Sequence, residues 1–414
     1  MAIIDSERWN HIITSSINPK NSAPLAIATA FAALLTYAVV FTVTPASINQ
    51  IRTQFHASGT QLSYLTGIMM VGFFVACIAG GRIADKHGKI LILVIGTFLM
   101  SLGAILFFMS PSFTWTFFAS MLTGIGGGFS EGMAMAVVSD NTSEKNRTLA
   151  MNIAQIVFCV GAVGTPVGVS LLIEHHVLWR WAYAGASMVC AIAFILALVA
   201  YKRTDESHLL QIHADRVPIR SIERLPLLVA LSIGLMIYVG AECGFAFWIA
   251  KFFKDSILAN AKYSAQMVSL FWAGIAVGRG ITGISSRYLS DEAIVIWAFL
   301  SGAIFIGIAL LIYAQMTAAV LVLAAGIAYG PSFPTILSVA GSRFKTQTGF
   351  VFGVIVASGS MGAIIFPAII GMSSDLIGLR LALWVCPAIS LIGVGIFVKL
   401  WAEKRNALQK NIQA

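Results

Sequence analysis

Long apolar runs alternate with short polar islands along the whole chain, and nearly all the runs fall in one length class. A helix needs about 20 predominantly apolar residues to cross the hydrocarbon of a bilayer. Twelve stretches meet that requirement: residues 24–48, 61–81, 90–109, 114–139, 149–173, 180–201, 225–250, 264–285, 293–314, 316–338, 349–372 and 380–401. The longest internal polar segment, 202–224, carries Lys202, Arg203, Arg216, Arg220 and Arg224 and divides six spans from six. The pattern predicts an all-α membrane protein with two six-helix bundles, residues 24–201 and 225–401. A cytoplasmic linker at 202–224 joins them, and tails at 1–23 and 402–414 flank them. Two related bundles around a basic linker is an organisation transporters use, with the solute site at the interface between the repeats.

Composition sharpens this picture. Of 414 residues, 58% are hydrophobic and 10% charged, against roughly 25% charged in soluble domains. Placing the amino terminus inside leaves only Arg52, Arg180, Lys251, Lys254, Lys262 and Arg380 outside, with the remaining 20 of 26 Lys and Arg in the cytoplasm. That asymmetry sets both termini on the cytoplasmic side. It also accounts for the net charge of +9 without a nucleic-acid partner, since no basic face with interleaved aromatics exists. The first twenty residues lack an apolar core followed by a small-residue cleavage site and read as a retained tail. Cys77, Cys159, Cys190, Cys243 and Cys386 stand far apart inside apolar runs, with neither a disulfide framework nor metal-ligand spacing. No phosphate loop, Gly-x-Ser-x-Gly or His-Glu-x-x-His occurs, so neither an enzyme nor a cofactor is expected.

The island Gly80–Ile90 reads as a tight loop between the second and third spans. Gly81 permits close approach of another helix, Asp85 can accept hydrogen bonds from the start of a neighbouring helix, and Gly88 supplies a turn few residues tolerate. Lys86 and Lys89, with Arg82, hold it to the cytoplasmic face. The spacing Gly81-x-Ile-Ala-Asp85-Lys86-x-Gly88-Lys89 resembles the signature loop of the major facilitator superfamily. A weaker copy, Gly278-Arg279-Gly280 to Arg287, stands between spans eight and nine without the acidic residue. The resemblance implies the major facilitator fold, a gating role for Gly81, Asp85, Lys86, Gly88, Lys89 and Arg279, and alternating access in a monomer.

An ionisable group inside a span costs about 2.5 to 3.5 kcal/mol on the insertion scale and marks function by default. Glu131 in span four and Glu242 in span seven are the carboxylates well inside spans. Each can hold a proton, accept hydrogen bonds from a solute, or simply bond a neighbouring helix. Asn152 and Gln155 in span five and Tyr37 in span one are candidate solute contacts, with helix-to-helix bonding as the alternative. Trp248, Trp272 and Tyr329 could stack on a ring-shaped solute. Gly-Ala-Glu242 with Trp248-Ile, and Gly330-Pro-Ser-Phe-Pro334-Thr, resemble the fucose:proton symporter branch of the superfamily. That resemblance implies a proton-coupled sugar transporter of a bacterial inner membrane, with Glu131 matching the branch's acidic coupling residue. The branch's span-one aspartate has no counterpart, for no acidic residue stands between Glu7 and Asp85. An exporter of drugs or metabolites, or a nutrient sensor on the same fold, are the competing readings.

Overall fold

The computed structural model describes residues 23–57, 59–203, 225–344 and 347–413. The expected amino-terminal tail and all but the start of the linker lie outside the described residues. Within them the chain is helical throughout, with no strand. The first half comprises α1 (Ala23–Ala46), α2 (Gly59–His87), α3 (Lys89–Met109), α4 (Phe113–Asp140), α5 (Arg147–Glu174) and α6 (Arg180–Arg203). The second comprises α7 (Leu225–Lys251), α8 (Ala261–Ser285), α9 (Asp291–Leu311), α10a (Gln315–Tyr329), α10b (Ser332–Arg343), α11 (Thr348–Ile377) and α12 (Val385–Gln413). Among the described residues, eleven stretches of helix are long and apolar enough to cross a membrane. The remaining expected span, α8, is not among them; its 25 residues include Lys262, Gln266 and Arg279.

Three features differ from the sequence reading. The island Gly80–Ile90 is mostly helix: α2 continues through His87, and Gly88 alone, at φ +96°, makes the turn into α3. The run beginning at Gly278 is likewise helix, because α8 extends to Ser285, so Arg279 is not a loop residue. Span ten is broken at Gly330-Pro331.

The two halves repeat one packing scheme. In the first, α1 packs on α5, α2 on α4 and α3 on α6; in the second, α7 packs on α11, α8 on α10a and α9 on α12. Glycines set the closest approaches. A Cβ on Gly124 or Gly128 would strike the Met69 or Phe73 carbonyl of α2, and one on Gly278 would strike Ile327. Outward faces carry exposed apolar side chains at helical spacing, such as Val160, Val163, Val167 and Leu171 on α5, the pattern a lipid-facing helix requires.

The halves meet through α2 against α11 and α5 against α8. The hydrogen bonds between halves that the structure describes run from mid-depth to one face, here termed the loop face, which carries Gly88, Asn141–Asn146, Phe344 and Gln347. Cysteines introduced for Ser112, His175 and Leu258 should label from one side of the membrane and for Ser143 from the other. Leu258 is 82% exposed. Labelling of Ser143→Cys in intact cells by an impermeant maleimide would reverse the expected orientation.

Candidate functional site

The loop-face closure starts from small residues. A Cβ on Gly81 would stand 2.5 Å from the Gly349 carbonyl oxygen and 2.8 Å from Phe350 Cα, so a glycine here lets α2 reach the start of α11. One turn on, Asp85 Oδ1 accepts from the Gly349 N–H at 2.9 Å and Oδ2 from the Phe350 N–H at 2.8 Å. A helix N-terminus leaves just such donors unsatisfied and favours negative charge. Lys89 pairs with Asp140 at 2.6 Å, Asp140 also accepts from Thr348 at 3.4 Å, and Arg82 lies over the Phe350 ring. Lys86 is exposed.

Charge-assisted bonds of this kind are worth about 1.5 to 3 kcal/mol each. Asp85→Asn keeps the shape but sets an amide N–H against a backbone N–H. It should slow transport several-fold, while ligand affinity, read by equilibrium binding, stays within a few-fold. Abolished binding in a folded protein would remove the gating role.

At mid-depth, Glu131 of α4, Gln155 of α5, Glu242 of α7 and Arg279 of α8 are all buried. Gln155 Nε2 donates to Glu131 Oε1 at 3.0 Å, and Glu131 Oε2 has no partner. Tyr238 donates to Glu242 Oε1 at 2.6 Å from one turn earlier on α7. Arg279 spans the halves: its Nη1 reaches the Gln155 carbonyl at 3.1 Å and Cys159 Sγ at 2.9 Å, and its Nε the Gly330 carbonyl at 3.3 Å. The last acceptor is free because Pro334, four residues on, has no N–H to give it. Arg279 thus closes the halves from within the bilayer, which corrects its expected place in a loop. Its charge acts on both carboxyls, though it forms a direct ion pair with neither.

The other expected contacts divide. Asn152 lies three residues from Gln155 on α5, donating to the Thr148 carbonyl at 2.8 Å with its Oδ1 unpartnered. Tyr37 is boxed by Phe73, Phe41 and Phe158, with ring centroids 5.3, 5.7 and 5.6 Å away, and its ring fills the space beside Gly127. Tyr329 is fully enclosed, its hydroxyl 2.6 Å from Ser390 and its ring edge-on to Tyr238. The Trp248 indole donates to the Pro367 carbonyl at 3.1 Å, with its ring on Gly371. Those two aromatic groups are committed to the packing of the second half, and Trp272 is half-buried beside Phe271. Arg279's central position was signalled in the sequence only by its falling within the apolar run 264–285.

Two helical halves, closed on one face around a buried polar centre, define a polytopic transporter fold. A family model for the Major Facilitator Superfamily matches residues 29–354, and the chain belongs to that family, whose members are transporters rather than enzymes. It is 20% identical over 368 residues to Multidrug resistance protein 2 of Bacillus subtilis, covering 85% of this chain and 88% of that protein. It is 34% identical over 159 residues to a Glucose/galactose transporter of Brucella abortus, covering 37% and 38%. Its fold superposes on the fucose:proton symporter FucP of E. coli with a TM-score of 0.73 at 16% identity, covering 91% of this chain and 98% of that one. On the proton:xylose symporter XylE bound to 6-bromo-6-deoxy-D-glucose the TM-score is 0.74 at 12% identity, covering 92% and 96%.

Proposed function

We propose that this protein carries a small hydroxylated solute, a sugar or sugar-like compound, together with one proton by alternating access. The observation that carries the reading is the charge inventory of the centre: two buried carboxyls, Glu131 and Glu242, share one guanidinium, Arg279. An uncompensated buried charge costs several kcal/mol, so the set is balanced when one carboxyl holds a proton. Glu131 takes that proton, because its Oε2 has no hydrogen-bond donor, while Glu242 is held by Tyr238. Gln155 and Asn152 beside Glu131 supply amides for solute hydroxyls, and Glu242 supplies a contact from the other half. The sugar transporters among its relatives and structural neighbours support this solute class.

With the loop face cytoplasmic, the conformation is closed toward the cytoplasm, in a monomer of a bacterial inner membrane. Uptake of radiolabelled D-glucose, D-galactose, L-fucose and D-xylose into proteoliposomes tests the reading. Accumulation driven by an inward proton gradient and abolished by a protonophore supports it; gradient-insensitive equilibration of every sugar contradicts it. The relative named for multidrug resistance, matched over most of this chain, favours a second reading as a proton-coupled exporter. Proton-driven efflux of an amphipathic dye, with no sugar uptake, would select it.

A further inference from the structure

The seam between α5 and α10b encloses more polar oxygen than its hydrogen bonds use. At its inner end Glu131 Oε2 lacks a partner. Along it, Asn152 Oδ1, Ser332 Oγ and Thr335 Oγ1 lack one too, on residues that are fully enclosed. Each orphaned buried group costs about 1 to 3 kcal/mol. A line of them is where ordered water is stably held.

The outer end of the seam is a triangle of oxygens at the loop face. Thr148 Oγ1 lies 2.7 Å from Asp291 Oδ1 and 2.7 Å from Ser338 Oγ, and Ser338 Oγ lies 2.8 Å from Asp291 Oδ2. Three such contacts need three hydrogens. The two hydroxyls supply two, and a protonated Asp291 supplies the third. Thr148 belongs to the first half, whereas Asp291 and Ser338 belong to the second. Separation of the halves at this face therefore withdraws Thr148 and exposes the half-buried carboxyl more fully to water.

We propose that Asp291 is a second proton-binding site, joined to Glu131 by water held along the α5–α10b seam, and that the transported proton leaves by this route as the loop face opens. The proposal rests on the proton-coupled reading above. As the face opens, the Asp291 O–H bond breaks and its proton passes to bulk water. The Glu131 O–H bond then breaks as a seam water gains the proton, and transfers past Asn152 and Thr335 re-form the O–H bond on the vacated Asp291 carboxylate. The charged and titratable groups acting on Glu131 are Arg279, Tyr37 and Cys77. Those acting on Asp291 are Glu292 and Lys404, with Arg343 paired to Glu292.

The test follows carboxyl C=O bands by infrared spectroscopy of the full chain in oriented proteoliposomes after a pH step on one face. The bands are assigned by their loss in Glu131→Gln and Asp291→Asn. The nearly isosteric Thr335→Val, which removes only a hydroxyl, should slow Glu131 deprotonation from the loop face by about tenfold. Its response to a step on the opposite face should be unchanged, and Thr335→Ser should restore the rate. Equal rates in Thr335→Val and the wild type, or absence of an Asp291 carboxyl band in the loop-closed state, would overturn the route while leaving Glu131 as carrier. Absence of any Glu131 band in the wild type would overturn both.

Discussion

Replacement of Glu131 by Gln is expected to abolish accumulation of solute against its gradient while leaving exchange of external for internal solute intact. The amide mimics the protonated acid: it keeps the size of the side chain and a hydrogen bond with Gln155, whose Nε2 now donates to Glu131 Oε1 at 3.0 Å. What it removes is the ability to lose a proton. With Arg279 balanced by Glu242 in every state, the carrier has no charge imbalance to correct, so both conformations stay reachable and solute exchange continues. Counterflow and pH-driven uptake measured side by side separate the two effects. A parallel fall in both would mean that Glu131 serves packing or solute binding alone. Normal accumulation by the variant would mean that the proton sits elsewhere.

Replacement of Arg279 by Met should be the most damaging single change at the centre. It strands two buried carboxyls without their shared cation and empties three acceptors, the Gln155 and Gly330 carbonyls and Cys159 Sγ. Breaking a buried charge set by removing one partner costs about 3 to 5 kcal/mol, which should lower the midpoint of thermal unfolding and stop transport. The damage has two parts, and a second substitution divides them. Adding Glu242→Gln removes the stranded negative charge and should recover most of the thermal stability. Transport should stay absent, because the bridge from α8 to α5 is still missing. Equal stability of Arg279→Met and the wild type would show that Arg279 is not balanced against these carboxyls.

The membrane-spanning plan was legible in the chain because span length and hydropathy are local properties. The twelve helices fall within a few residues of the apolar runs, except where a helix ran on through charged residues. Asp85 was legible for a related reason: an acidic residue between two glycines has few structural uses other than reaching a helix start, and it bonds the N–H groups of the second and third residues of α11. Arg279 was misplaced because a glycine-rich run with one arginine looks like a turn. Its true acceptors are supplied by residues 51, 120 and 124 positions away, and no periodicity announces them. Tyr329 and Trp248 read as free aromatic faces for the same reason, since their partners Ser390 and Pro367 are remote in sequence. Asp291 passed unnoticed because an acidic residue in the first turn of a helix is ordinary on electrostatic grounds. Only the convergence of Thr148 and Ser338 on it, from two different spans, gives it a further use.

The central claim is that the Glu131, Glu242 and Arg279 set holds one exchangeable proton per transport cycle. It is tested most directly by the proton-to-solute ratio, read as the solute gradient that just balances a known proton gradient in proteoliposomes, using whichever of the four sugars is taken up. The account predicts that one proton enters with each solute molecule, and that in Glu131→Gln the balancing solute gradient falls to zero at every proton gradient. A wild-type protein whose solute gradient collapses at every proton gradient would contradict it.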